Sequence, residues 1–309
     1  MSKVIVILGQ TAIGKSDFAV EVAHQINGEI ISADSRQVYK GMNIGTGKIT
    51  KKEMLGVPHH LLDVTSPSKV FSVSDFQKIA FKKIGEIAKK GKVPIVCGGT
   101  GFYIDAIVNN TTFPEVPPNK KIRETLSKKT TEQLFEMLKK LDPTRAKTID
   151  KNNKVRLIRA IEIAKSLGKV PSIKNSSKQH FGEPSSFLKI GLKVPPEILK
   201  ERILLRLFAR MKKGMVYEVE KLHRKGLSWK RMYSLGLEYK YVALYLQKKI
   251  TKEEMLKKLN AEIWHFAKRQ NTWFKRDKSI IWIDPREKND KLKALKEIKE
   301  FLLENKADL

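Results

Sequence analysis

Apolar positions along the chain fall into two kinds of run. Short unbroken stretches at Val4–Leu8, Glu29–Ser32 and Pro94–Cys97 predict buried strands. Between them, Ser16–Ile26 places Phe18, Val22 and Ile26 at helical spacing, and Phe76–Lys90 is an amphipathic helix that stops near Gly91. Strands alternating with helices predict a parallel sheet with crossover connections. The pattern changes after Phe113. Pro114–Pro118 carries three prolines and breaks regular structure. Thr131–Leu141 and Asn153–Leu167 then read as helices with little strand between them, and Ser172–Ser186 as a polar loop. Strand character returns at Leu188–Val194 and Ile280–Ile283; Pro196–Gly214, Thr251–Phe274 and Asp290–Glu304 read as helices. The predicted class is α/β: a parallel-sheet core over 1–113 and 183–309, a helical insertion over 114–182, and basic C-terminal helices.

Charge changes this picture. The 309 residues hold 62 Lys+Arg against 33 Asp+Glu, a formal net charge of +29. The excess concentrates at 111–180 (net +10) and 200–280 (net +14), both predicted helical, while 281–309 is neutral. A solvated lysine-rich surface is one reading. A polyanionic partner, nucleic acid foremost, explains the uneven distribution better. Hydrophobic residues make up 41% of the chain, and no apolar run is long enough to span a bilayer, so an integral membrane protein is excluded. The N-terminus carries no secretory pattern. The single cysteine, Cys97, excludes an intramolecular disulfide and a cysteine-based zinc cluster, which suits a reducing cytoplasm.

The candidate chemistry lies at strand ends. Gly9-Gln10-Thr11-Ala12-Ile13-Gly14-Lys15-Ser16 fits the phosphate-loop pattern and has a predicted strand before it and a helix after it. The glycines let backbone N–H groups turn around phosphate oxygens, Lys15 adds positive charge, and the Ser16 hydroxyl suits Mg²⁺. The loop does not say which phosphate ester it holds. Asp34 follows the second strand, on the rim where open α/β sheets bind ligands. A carboxylate there can accept a proton or hold a metal through water; a helix cap or an ion pair with Arg36 is the structural alternative. Gly98-Gly99-Thr100-Gly101, after the third strand, reaches the same rim and offers the Thr100 hydroxyl. The adjacent His59 and His60 point apart on an extended segment and lack a nearby third ligand, which favours a structural role over a metal site.

Taken together, these blocks resemble the tRNA dimethylallyltransferases (tRNA isopentenyltransferases) from Val4 to about Arg276. The likeness rests on the phosphate loop; Ser32-Ala33-Asp34-Ser35-Arg36-Gln37-Val38-Tyr39-Lys40-Gly41-Met42 with Ile44-Gly45-Thr46; Pro58-His59-His60-Leu61-Leu62-Asp63; Phe71-Ser72-Val73-Ser74-Asp75-Phe76; Gly98-Gly99-Thr100-Gly101; Arg156 and Arg159-Ala160; and Ala267-Lys268-Arg269-Gln270 with Thr272-Trp273-Phe274. The resemblance implies transfer of a dimethylallyl group from dimethylallyl diphosphate to N6 of the adenosine 3′ of the anticodon. It implies Asp34 as general base, Thr100 at the diphosphate end of the channel, and Arg206, with Arg202 one turn earlier, gripping the diphosphate. Gly9, Thr11, Ala12, Ile13, Gly14, Lys15 and Ser16 would cradle the diphosphate, with Mg²⁺ on Ser16. Asp34, Ser35, Arg36, Gln37, Thr100, Arg123, Arg156, Arg159, Lys268, Arg269, Gln270, Trp273 and Lys275 would meet the tRNA anticodon stem-loop. A cytoplasmic, monomeric enzyme without membrane contact is the expectation.

Local departures are Gln10 for the family's usual proline, Ile13 for a small polar residue, Gly47 for alanine, and Gly236-Leu237-Glu238-Tyr239 where the family reads Gly-Tyr-Lys-Glu. Three alternatives share parts of the pattern: a small-molecule P-loop kinase using ATP, an isopentenyltransferase acting on a free adenine nucleotide, and a non-catalytic nucleic-acid-binding NTPase. None of the first two needs the basic blocks.

Overall fold

The apolar alternation along the strands decides the architecture. In a computed structural model, which describes residues 2–171 and 185–304, the chain order is β1 (Ser2–Gly9), α1 (Lys15–Ile26), β2 (Gly28–Ser32), β3 (His59–His60), α2 (Val73–Lys89), β4 (Val93–Gly98) and α3 (Gly101–Val108). Then come α4 (Lys120–Ser127), α5 (Thr131–Leu141), α6 (Pro143–Thr148) and α7 (Lys154–Leu167). The remainder is β5 (Ser185–Leu192), α8 (Pro196–Lys212), α9 (Met215–Arg224), α10 (Trp229–Leu235), α11 (Leu237–Leu246), α12 (Lys252–Phe274), β6 (Ile281–Ile283) and α13 (Lys288–Leu303). The chain divides into two compact units, one of residues 1–110 and the C-terminal part, the other beginning at Thr111.

In the first unit six strands form one sheet in the order β3-β2-β4-β1-β5-β6, with every pairing parallel. Parallel strands need both faces covered. Side chains alternate accordingly: Ile5, Ile7, Ile30, Ile95 and Ile190 enter the core under α1 and α8–α13. Val4, Val6, Leu8, Ile31 and Val96 enter the core under α2 and α3. Within α12, Met255, Leu259, Ile263, Ala267, Gln270 and Phe274 form one buried stripe, so a polar amide shares the face of the apolar residues.

The predicted α/β class and parallel core are present. The strand expected at Leu188–Val194 instead spans Ser185–Leu192, because its whole length pairs with β1 from Ser2↔Ser185 to Gly9↔Leu192. Pairing with a central strand outweighs the polar character of its first residues. The rest of the loop expected at Ser172–Ser186 lies outside the described residues. Short elements escaped the periodicity: β3 has two residues, and α3 is apolar nearly all round, with Tyr103, Ile104, Ala106 and Ile107 buried.

The second unit packs α4–α7 around Leu126, Leu134, Leu138, Ala146, Leu157 and Ile161. Its helices start at side-chain caps: Asn119, Thr130, Asp142 and Asn153 each accept a backbone N–H of the first turn. Glu162 of α7 is buried, with a side chain 1% exposed. It accepts the Asn119 N–H at 2.6 Å, both arms of Arg123 at 2.9 and 2.7 Å, and Arg159. Burial alone would raise its carboxyl, but these donors outweigh that and hold it down to about 2. A depressed carboxyl stabilises the fold above its ordinary value of 4.5 and loses that stability as pH falls towards about 2, a term on the order of 2–3 kcal/mol. Resistance to urea should therefore weaken between pH 5 and 3 in the wild-type chain. In Glu162→Gln it should be weaker at pH 7 and flatter with acid; parallel acid profiles would remove Glu162 from this account.

Candidate active site

The backbone turn after β1 is built by conformations that few residues tolerate. Gly14 sits at φ 98 as the first cap of α1 and Ala12 at φ 63, so the amides of the loop turn inward before the helix starts. Ile13, unusual for its loop, is fully buried and anchors the turn in the core, and its carbonyl accepts Arg202 Nη1 at 3.2 Å. Lys15 Nζ donates to the Gln10 carbonyl at 2.5 Å.

This loop lines a cavity of about 640 Å³. Its other walls come from the ends of β2 and β4 (Asp34, Gln37, Gly98, Gly99), the 43–50 loop, and one face of α8 bearing Arg202, Arg206, Arg210 and Lys213. Arg210 is engaged, donating to the Gly45 carbonyl and to Glu238, both close to 2.7–2.8 Å. Lys15, Arg202, Arg206 and Lys213 form no ion pair among the described residues. Burial pushes the Lys15 ammonium from 10.5 down to about 8, and Arg206 adds to the fall while Cys97 and Asp34 oppose it. Loss of water around Arg206, then the Arg210 charge, pushes its guanidinium below its ordinary value. Such a guanidinium stays charged at any working pH. Asp17, Asp34 and Glu53 share the wall with these cations without forming an ion pair to them among the described residues, so the cations are open to an anionic ligand.

Asp34 lies on the cavity wall with its carboxylate fixed from behind. Its Oδ1 accepts the backbone N–H of Arg36 at 2.8 Å and of Gln37 at 3.3 Å, while Oδ2 makes no hydrogen bond among the described residues. The β2 and β4 ends are stitched by Ala33 N–H to the Cys97 carbonyl and Thr100 N–H to the Ala33 carbonyl. A Cβ at Gly98 would sit 2.2 Å from the Ala33 carbonyl oxygen, so only glycine fits there.

Several of the residues expected at the site make hydrogen bonds within the protein. Thr100 is not on the cavity wall; its Oγ1 accepts the Ser35 N–H at 3.1 Å and fixes the segment after Asp34. Arg36 donates to the Leu235 carbonyl at 2.8 Å. The Thr11 N–H, expected to face phosphate, donates at 2.8 Å to Gln270 Oε1, and Gln270, expected to face RNA, is buried. Trp273 Nε1 donates to Asp105 and its ring packs on Gly101, with Arg276 over its face. Arg123 and Arg159 are committed to Glu162 within the second unit. Arg156, Lys268, Arg269 and Lys275 are exposed.

Others were missed. Buried Glu218 accepts the N–H groups of Asn43, Ile44 and Gly45 and the Tyr239 hydroxyl, and so shapes the 43–50 wall. Burial, then the Glu218 charge, holds the Tyr239 phenol well above its ordinary value. Nothing in the sequence announces this brace, and Arg210, one turn beyond the expected Arg202 and Arg206, was missed as well. His60 pairs with buried Glu29, and His59, on the cavity wall, bonds the Val57 carbonyl. Among the described residues no cluster of three or more His, Cys, Asp or Glu could hold a metal by itself, and no helix is long and apolar enough to cross a membrane.

Comparison with known proteins places the chain as a whole. The profile of the IPP transferase family matches residues 37–277. A tRNA dimethylallyltransferase 2 of Treponema denticola is 45% identical over 276 residues, covering 88% of this chain and 91% of that protein. A tRNA dimethylallyltransferase 1 of Syntrophus aciditrophicus is 41% identical over 304 residues, covering 96% and 97%. The solved structure of a full-length tRNA isopentenylpyrophosphate transferase from Bacillus halodurans is 35% identical, with a TM-score of 0.74 over 98% of each chain. A eukaryotic dimethylallyltransferase acting on tRNA superposes with a TM-score of 0.80 at 26% identity, over 98% of this chain and 80% of that one. The chain belongs to the IPP transferase family.

A cavity whose lysine titrates near 8 has a definite pH signature. An anion raises that value on binding, so above pH 8 binding takes up a proton and weakens by up to about tenfold per pH unit. Titration calorimetry with an alkyl diphosphate between pH 7 and 9.5 should show this decline in the wild type and a flat, weak response in Lys15→Ala. A decline of equal steepness in both would place the titrating group elsewhere.

Proposed function

We propose that this member of the IPP transferase family transfers a dimethylallyl group from dimethylallyl diphosphate to N6 of the adenosine 3′ of the anticodon in tRNA. The observation that carries the reading is the shared cavity: a phosphate loop with Lys15, the cations of α8, and a carboxylate whose Oδ2 has no hydrogen bond among the described residues line the same space. Family membership and the named activities of the relatives support it.

The N6 lone pair is delocalised into the purine ring and attacks poorly unless its proton is removed. In this reading Asp34 Oδ2 accepts the N6 proton as N6 bonds to C1 of the dimethylallyl group and the C1–O bond to diphosphate breaks. Such a base contributes about 10²–10⁴-fold. Negative charge grows on the departing diphosphate, where the loop N–H groups, Lys15 and Arg206 stand. Thr100 holds the Ser35 end of the Asp34 segment in place. The Ser16 hydroxyl lines the cavity with no hydrogen bond to the described protein, so it would be available to hold Mg²⁺. Bound there, the ion would neutralise charge on the leaving group.

A purine in an anticodon loop must leave its stack to enter such a cavity, at a cost of a few kcal/mol that phosphate contacts must offset. The exposed Lys268, Arg269 and Lys275 of the first unit and Arg156 of the second supply cations for that purpose. Residues Ser35, Arg36, Gln37, Arg123 and Arg159 are better understood as shaping the surfaces that meet RNA.

The direct test incubates the pure protein with unmodified tRNA, Mg²⁺ and dimethylallyl diphosphate and analyses the nucleosides by mass. An adenosine bearing a C5H8 addition is expected; phosphorylated nucleoside from ATP instead would favour a kinase. Asp34→Asn should reduce turnover by about 10²–10⁴-fold with near-normal tRNA affinity, and turnover close to wild type would overturn the base assignment. Raising salt from about 50 to 200 mM should weaken tRNA binding steeply, by about 10³-fold or more if six or more phosphates are neutralised. A flat response would dismiss the basic surface.

A further inference from the structure

α12 meets the phosphate loop through two glutamine amides. Gln10 Nε2 donates to the Ala267 carbonyl at 3.0 Å, and Gln270 Oε1 accepts the Thr11 N–H at 2.8 Å. The other end of the Gln270 amide donates to the Gly99 carbonyl at 2.8 Å. One buried side chain thus spans the two loops that end β1 and β4. The fit is close: a Cβ on Gly99 would lie 2.3 Å from Gln270 Nε2. Gln270 is 6% exposed, so its amide has no water to fall back on. Gln10 stands where the family usually has proline, which has no such donor, so this half of the connection belongs to this chain. The loop it steadies continues directly to Lys15, whose ammonium donates to the Gln10 carbonyl.

We propose that Gln10 and Gln270 form a clasp that positions the diphosphate cradle, Gln270 acting as a positioning residue rather than as an RNA contact. By holding Thr11 and Gly99 at fixed separation, the clasp sets the spacing between the loop amides and the turn that leads through Thr100 to the Asp34 segment. Its effect falls on the diphosphate and on turnover. RNA affinity, carried by exposed cations, is untouched. The proposal rests on the reading that this cavity takes dimethylallyl diphosphate.

The test measures three quantities on the full chain: the Kd for dimethylallyl diphosphate with Mg²⁺ and without tRNA, the Kd for tRNA, and kcat. Gln270→Leu should raise the diphosphate Kd and lower kcat by about tenfold or more each, with the tRNA Kd within about twofold of wild type. Gln270→Glu keeps the acceptor for Thr11 but sets a carboxylate against the Gly99 carbonyl, and should fall in the same direction. Gln10→Ala, at a half-buried position, should give a smaller shift of the same kind and covers the case in which Gln270→Leu does not fold. An unchanged diphosphate Kd in the folded variants, a loss confined to tRNA, or a loss that merely tracks the melting temperature would each overturn the clasp. Failure of the wild-type chain to bind dimethylallyl diphosphate would instead overturn the substrate reading, so the two failures are distinguishable.

Discussion

Cations gathered round one cavity, in no ion pair among the described residues although Asp17, Asp34 and Glu53 share its wall, are the constraint that the core must satisfy. Lys15, Arg202, Arg206 and Lys213 repel one another, and the partial loss of water around Lys15 is severe enough to bring it to about 8. Such an arrangement persists only where rigid elements hold it. Here a fully parallel sheet buried on both faces supplies the loops, and the buried residues Leu199, Ile203 and Leu207 lock α8 so that its cationic face points into the cavity. An anion placed there relieves strain already present, which is how a site gains affinity without moving.

The polar residues inside the core serve that same end. Glu218 gathers successive amides of the 43–45 segment, Thr100 gathers the amide after Asp34, and Gln270 joins two strand-end loops. Each replaces water for backbone groups that would otherwise be stranded at a buried turn. The Gly236–Tyr239 segment, which departs from the family's usual residues, belongs to this framework: Glu238 pairs with Arg210 and Tyr239 with Glu218. Two of its side chains are thus met by Arg210 on the cavity wall and by the buried Glu218.

Outside the cavity the charge has a different character. Arg123 and Arg159 neutralise one buried carboxylate and stabilise the second unit, whereas Arg156, Lys268, Arg269 and Lys275 are exposed at the surface, Lys268 over the Trp264 ring. A basic composition therefore overstates the number of unpaired cations, since some, like Arg123 and Arg159, are held by a buried carboxylate.

The amino-acid order alone determined the α/β class, the phosphate loop and the convergence of Asp34 with it, because these follow from local periodicity, from glycine conformations and from the rule that ligands sit at the carboxyl ends of parallel strands. It also carried the family, through blocks whose order is specific. Tertiary structure decided the rest. Whether Gln270 faces RNA or core, whether the Thr11 amide is free, and whether Arg159 meets a phosphate or Glu162 depend on partners far away in sequence. No window along the chain contains both members of such a pair, and burial, which turns a polar side chain from a surface contact into a brace, exists only once the sheet and helices have closed around it.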